Sequence, residues 1–154
     1  MINNIRRMKD TDIDNVYAIE IDVHIAPWSK EILRDCVLVG YDCRVIEINN
    51  GNNPILGGYI IARNSENSFH ILNLCIAKPL QSKGLGRKLL QTFLYSLSKN
   101  TNTESVVLEV RPSNNVALHL YQTLGFEQVE VKKEYYKDKS SVEDAILLRK
   151  ILTV

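Results

Sequence analysis

Gln81-Ser82-Lys83-Gly84-Leu85-Gly86-Arg87 is the stretch on which the fold turns. Ahead of it, Ile71 to Ala77 is an apolar run that reads as a buried strand. Behind it, Leu85 to Leu97 carries Leu85, Leu89, Leu90, Phe93, Leu94 and Leu97 at helical spacing. Two glycines at a strand-to-helix turn leave several backbone N–H groups free to point at one spot. The helix N-terminus adds its partial positive charge there. Such a turn suits a phosphorylated ligand, with Arg87 and Lys88 adding formal charge beside it. The same residues also suit a plain tight turn. The spacing excludes two named loops. There is no G-x-x-x-x-G-K-[ST], and the third glycine position of a G-x-G-x-x-G is Leu89. What remains is Q-x-x-G-x-G, whose meaning depends on its neighbours.

Upstream, Ile2 to Met8 reads as a strand. Thr11-Asp12-Ile13-Asp14 resembles a capping box that starts a helix carrying Val16 and Ile19. His24 to Ser29 is an irregular break, and Ser29 caps a short second helix ending near Asp35 or Val37. Strands follow at Arg44 to Asn49, Ile55 to Arg63 and Phe69 to Ala77. They are separated by the Asn49 to Pro54 turn and the Asn64 to Asn67 turn. Downstream of the helix, Asn100 to Glu104 is loop-like and Ser105 to Val110 is a β-branched strand. A helix from Asn115 to Leu124 stops at Gly125. Phe126 to Val131 and Glu143 to Leu152 close the chain as strands, with Tyr135 to Ser141 as a polar link. The order β-α-α-β-β-β-α-β-α-β-β places the chain in the α/β (α+β) class, a mixed sheet with helices on its faces.

The 154 residues make one domain, 1–154, with a net charge of +1 and no general pull toward nucleic acid or membrane. No segment approaches the roughly 20 apolar residues that span a bilayer, and Met1 to Arg7 lacks a signal-peptide core. Cys36, Cys43 and Cys75 form no C-x-x-C and read as reduced thiols, so a cytoplasmic protein is expected. His24, His70 and His119 are scattered, so no metal site is expected.

Four features fall in one order: the strand to Ala77, Q-x-x-G-x-G, the strand ending L-E-V-R (Leu108 to Arg111), and S-N-N-V-A-L-H-L-Y-Q-T-L-G-F (Ser113 to Phe126). Together they resemble the GNAT superfamily of acetyl-CoA-dependent N-acetyltransferases, over nearly the whole chain. H-I-A-P-W-S (His24 to Ser29) and Tyr135-Tyr136 followed by Glu143-Asp144-Ala145 look like elements of its RimI-type ribosomal-protein-alanine group. The resemblance implies the GNAT fold, a mixed, mostly antiparallel sheet of about seven strands flanked by about four helices. It implies acetyl-CoA as donor, held by Leu74, Cys75 and Ile76 on a strand edge, by the loop Ser82, Lys83, Gly84, Leu85, Gly86 and Arg87, and by Asn114. It implies Glu109 as general base and Tyr121 as general acid. Trp28, Tyr135 and Tyr136 become candidates for contact with the substrate, the N-terminus of a ribosomal protein.

That chemistry moves an acetyl group from a thioester to an amine that must first lose a proton. An α-amino group has a pKa of about 7.7–8.0, so a modest base suffices. Glu109 acts directly or through a water, and it is expected partly buried with its pKa shifted upward. A backbone N–H on the Leu74 to Ile76 edge stabilises the oxyanion, and Tyr121 protonates the leaving thiolate. No nucleophile constellation surrounds Cys75. Each residue also has a purely structural role open to it: an ion pair for Glu109, core packing for Tyr121, loop anchoring for Trp28, packing for Tyr135 and Tyr136, and a helix cap for Asn114. Asp35 and Glu143 are candidate carboxylates for a basic substrate tail. Two other functions share the cofactor half of the chain: acetylation of a small amine, such as a polyamine or an antibiotic, and non-catalytic sensing of acetyl-CoA.

Overall fold

The computed structural model describes residues 2–49, 51, 53–100, 102–137 and 141–152, with the backbone alone for Ile2 and Asn100. The strands are β1 (Ile2–Arg7), β2 (Asp42–Asn49), β3 (Ile55–Asn64), β4 (Ser68–Ile76), β5 (Ser105–Val110), β6 (Glu127–Lys137) and β7 (Val142–Ile151). The helices are α1 (Ile13–Val23), α2 (Lys30–Leu38), α3 (Leu85–Asn100) and α4 (Asn115–Thr123). The strands form one seven-stranded sheet in the order β1-β2-β3-β4-β5-β7-β6. Every neighbouring pair is antiparallel except β4 and β5, which α3 connects in parallel. This is the mixed sheet with helices on its faces that the element order predicts, and the mostly antiparallel seven strands and four helices that the resemblance implies.

The sheet buries both faces, each against its own pair of helices. On one, Leu85, Leu89, Leu90, Phe93 and Leu97 of α3 pack with Tyr121 and Leu120 of α4 against Ile60, Ile71, Leu108 and Leu148. On the other, Ile13, Val16 and Ile19 of α1 and Leu33 and Cys36 of α2 pack against Val45, Tyr59, Ile61 and Cys75. This second helical layer reaches from β2 to β4, while β6 is exposed along nearly its whole length.

One break in the sheet creates the functional geometry. The β4–β5 pairing runs only from Ser68↔Ser105 to Ile71↔Leu108. A register shift at the same level of the β3–β4 pair takes Ile61↔Asn73 to Ala62↔Ile71, leaving Leu72 as the extra residue. Beyond it β4 keeps its partner on the β3 side and has none on the β5 side among the described residues. The fit to β3 is close. A Cβ on Gly58 would lie 2.5 Å from the Cys75 carbonyl oxygen, so only glycine lets the strands approach here.

Three elements differ from the sequence reading. Thr11 does not cap α1. A 3-10 turn, Asp10–Asp12, precedes the helix, and Asp12 accepts the Lys9 N–H at 2.7 Å and hydrogen bonds from both terminal Arg6 guanidinium nitrogens, Nη1 and Nη2, at 2.8 Å. The closing strand β6 does not end at Val131 but continues to Lys137, carrying Tyr135 and Tyr136 inside a strand. It does so across an irregularity where Glu134, at φ 51°, donates its N–H to Asp144 Oδ1 at 2.9 Å. The helix α3 runs on to Asn100, into the stretch read as loop. Ser29 does cap α2, accepting the Ile32 N–H at 3.2 Å, and Gly125, at φ 94°, does end α4. Asn50, Asn52, Thr101 and Asp138 to Ser140, parts of three expected loops, lie outside the described residues.

Candidate active site

The glycine turn sits at the mouth of the gap. Gly84 has φ 80° and open space where a Cβ would stand, and Ser82 adopts φ 65°. A left-handed non-glycine residue costs of order 1–3 kcal/mol and marks a backbone bent for a purpose. Here it leaves the amides of Ser82 to Arg87 without a hydrogen-bond acceptor among the described residues. The first helical bond of the region is Lys88 N–H to Gly84 O, at 3.0 Å. Successive free amides at the start of α3, a sixteen-residue helix, form an anion cradle. Lys83 is exposed beside it. Arg87 is turned toward α4, donating to Thr123 Oγ1 at 2.7 Å.

The open edge of β4 follows directly. Ala77 donates to Gly57 O on the β3 side, while the Ile76 carbonyl accepts from Gln81 Nε2 at 2.9 Å on the other. Strand alternation then turns the Leu74 and Ile76 amides into the gap. Cys75 points its side chain into the α1/α2 core, and burial pushes its thiol up to about 12. A buried, protonated thiol is a poor nucleophile.

Glu109 stands on β5 where the strands part, on the α1/α2 side of the sheet, since Leu108 and Val110 face α3. Its side chain is 8% exposed. His70 Nε2 lies 2.7 Å from Glu109 Oε1, and Arg63 lies 3.3 Å from His70 Nδ1. Oε2 is buried and accepts no hydrogen bond, and the nearest cation is the Lys132 ammonium at 3.6 Å. Burial pushes this carboxyl up. The His70 hydrogen bond and field, joined by Lys132, outweigh it and hold Glu109 below the usual carboxylate range. The expected partial burial is present. The expected upward shift is not, because a donor and an ammonium flank the carboxylate.

Tyr121 is buried in the α3/α4 core, edge-on to Phe126 at 5.8 Å, and burial followed by the field of Tyr136 raises its phenol. No hydrogen bond joins it to Glu109. Tyr136 bears on both: its half-buried phenol, under the Arg111 guanidinium at 4.2 Å, is pushed up to about 12, first by burial and then by Glu109. Tyr135 is 49% exposed and packs edge-on to Tyr136 at 5.0 Å, with Lys132 over its ring. Asn114 caps α4, accepting the Ala117 N–H at 3.1 Å. Glu143 pins the β5–α4 loop through Ser113 N–H at 2.8 Å and Arg111 at 3.3 Å, and Asp35 is exposed on α2.

Trp28 is half-buried against the α1/α2 core, and its backbone N–H donates to Glu20 Oε2 at 3.0 Å. Glu20, 1% exposed, also accepts from Tyr59 at 2.5 Å and from Asn73 at 2.8 Å. Sequence reading passed over Glu20 and His70. For Glu20 a signal existed: with Ile13 and Val16 it falls on the buried stripe of α1, an odd place for a carboxylate. For His70 there was none, since its contact with Glu109 spans the parallel β4–β5 pair.

Residues 45–142 match the family model described as Acetyltransferase (GNAT) domain. The chain is 29% identical over 147 residues to the [Ribosomal protein bS18]-alanine N-acetyltransferase of Escherichia coli (strain K12), covering 96% of each. It is 31% identical over 146 residues to the protein so named from Haemophilus influenzae, covering 94% of this chain and 95% of that one. The crystal structure of the Escherichia coli ribosomal-protein-S18-alanine N-acetyltransferase superimposes with a TM-score of 0.90 at 28% identity, over 99% of this chain and 96% of that one.

Proposed function

The chain belongs to the GNAT acetyltransferase family, and on that premise we propose that it moves the acetyl group of acetyl-CoA to the N-terminal α-amino group of a protein. The substrate is the N-terminal alanine of ribosomal protein bS18, the substrate that its relatives' names print. One domain, 1–154, carries the activity, and it acts in the cytoplasm. No helix among the described residues is long and apolar enough to cross a membrane.

The observation that carries this reading is the buried Oε2 of Glu109, which accepts no hydrogen bond, is ion-paired with the Lys132 ammonium at 3.6 Å, and belongs to a carboxyl held below the usual carboxylate range. It is an acceptor placed for an amine's proton, directly or through a water. As a base it is weak, so it suits an amine that is already partly neutral. At pH 7.5 an α-amino group is about one-third neutral, a lysine-like amine about one part in a thousand. That difference favours a protein N-terminus over a polyamine.

The steps follow from the gap. The Ser82 to Arg87 amides and Asn114 would hold the donor's diphosphate, and the strand edge of Leu74, Cys75 and Ile76 would hold its thioester arm. Glu109 takes the amine's proton, and the nitrogen attacks the thioester carbon. The oxyanion meets the Leu74 or Ile76 N–H. The C–S bond breaks, Tyr121 gives the thiolate its proton, and the attacking nitrogen releases its second proton, which returns through solvent to restore the Tyr121 phenol. Trp28, Tyr135 and Tyr136 line the approach of the peptide. No acetyl-enzyme is formed, consistent with the protonated Cys75 thiol.

A peptide with the bS18 N-terminus, the same peptide with a blocked α-amine, and spermidine separate the readings. Acetylation of the free α-amine alone, at a kcat/KM at least about a hundredfold above spermidine, is expected. Turnover of spermidine without turnover of the peptide would sink the proposal in favour of a small-amine enzyme. Acetyl-CoA binding without turnover of any amine would favour a sensor.

A further inference from the structure

Glu109 has two oxygens in different situations, and His70 makes them different. Oε1 receives His70 Nε2 at 2.7 Å, while Oε2 is buried with no hydrogen bond. The other ring nitrogen, Nδ1, faces the Arg63 guanidinium at 3.3 Å. A guanidinium only donates, so Nδ1 accepts and Nε2 carries the ring proton toward the carboxylate. Arg63 on β3, His70 on β4 and Glu109 on β5 thus form a chain across three strands, each link oriented by the one before it. From these contacts we infer that His70 is a positioning residue. It fixes the Glu109 rotamer, occupies Oε1, and leaves the buried Oε2 as the atom that takes the substrate's proton.

The inference rests on Glu109 as base, and its consequences can be read separately. The groups facing Glu109 are His70 from β4, with Arg63 of β3 behind it, and Lys132 and Tyr136 from β6. Leu147 of β7 lies opposite it in the pairing and brings no charge. Removing the imidazole leaves burial opposed by Lys132 alone. The carboxyl then titrates at higher pH, because the group that favoured its ionised form is gone. Its side chain also gains freedom, and misplacing a catalytic group by an ångström costs up to about a hundredfold in rate. A glutamine at position 70 keeps an N–H donor near the place of Nε2 without a titrating ring.

The test is carbon-13 NMR of glutamate carboxyl groups through a pH titration, with the Glu109→Gln spectrum assigning the Glu109 signal. The wild-type signal is expected to titrate below the other glutamates. It is expected to move above them in His70→Ala and to lie between the two positions in His70→Gln, which keeps the hydrogen bond without the imidazole's field. With the peptide substrate, His70→Ala is expected to lose about tenfold in kcat at alkaline pH with an unchanged KM for acetyl-CoA, and His70→Gln to recover most of it. Below the substrate amine's pKa, log kcat/KM falls with a slope of one in the wild type. In His70→Ala it steepens toward two once Glu109 also protonates. An unmoved Glu109 titration in His70→Ala would overturn the inference, and a His70→Gln spectrum like that of His70→Ala would overturn the hydrogen bond as its cause. Should Glu109→Gln keep its kcat, the base assignment fails, while the titrations still decide whether His70 holds the carboxylate.

Discussion

Replacing Glu109 with glutamine is expected to lower kcat for an alanine-starting peptide about a hundredfold near pH 7.5, the low end of what a general base contributes. The low end follows from the substrate. An α-amine is already partly neutral at that pH, so the base has a modest task. The deficit is therefore expected to narrow as pH rises past 8 and the amine sheds its proton unaided. KM for acetyl-CoA is expected to hold, because Glu109 lies on the α1/α2 side of the sheet, away from the amides of Ser82 to Arg87. Tyr121→Phe is expected to lower kcat at all pH values up to its own titration, since burial keeps the wild-type phenol protonated. Steady-state kinetics across pH on both variants checks this. Unchanged kcat in both would remove the assigned roles and leave the cluster as structural.

Gly86→Asp acts on the other half of the site. A Cβ at Gly86 would meet Ile76 Cγ1 at 3.7 Å and Leu120 Cδ2 at 3.8 Å, ordinary contacts, so Gly86→Ala is expected to bind acetyl-CoA nearly as the wild type does. An aspartate at the same place brings a negative charge into the first turn of α3, beside the proposed diphosphate. Repulsion over a few ångströms at a half-exposed site is worth about 1.4–2.8 kcal/mol, a ten- to hundredfold rise in KM for acetyl-CoA. The same charge is favourable to the helix N-terminus, so thermal stability is expected to hold or rise. Loss of binding with retained stability is the signature of a ligand clash. An Asp variant with wild-type acetyl-CoA KM would mean the diphosphate lies elsewhere.

The contrast between these two sites shows what a linear sequence carries. The anion loop is local: Gly84, Gly86 and the start of α3 lie within a few residues, and their backbone geometry follows from glycine and helix chemistry. The caps at Ser29 and Asn114 and the stop at Gly125 are legible for the same reason. The ordered motifs single out Glu109 as the candidate base, and they carry nothing of its environment. His70 reaches it only because β4 and β5 run parallel in the His70↔Val107 register, and Lys132 only because β7 carries β6 to the far side of β5. Both neighbours favour the ionised carboxylate and reverse the shift that burial alone predicts. The length of β6 was missed for a different reason. The bend at Glu134 is held by Asp144, ten residues later in β7, so the polar run through Tyr135 and Tyr136 looks like loop until the pairing partner is known. Glu20 was readable as an anomaly on an apolar helix face, but its three donors come from β3, β4 and the α1–α2 segment.

The most direct test of the central claim is mass-spectrometric profiling of protein N-termini on ribosomes from cells with and without this enzyme. The account predicts that the N-terminal alanine of ribosomal protein bS18 is acetylated with the enzyme, free without it, and free again when Glu109→Gln replaces the wild type. A bS18 N-terminus whose acetylation is the same in all three would contradict it.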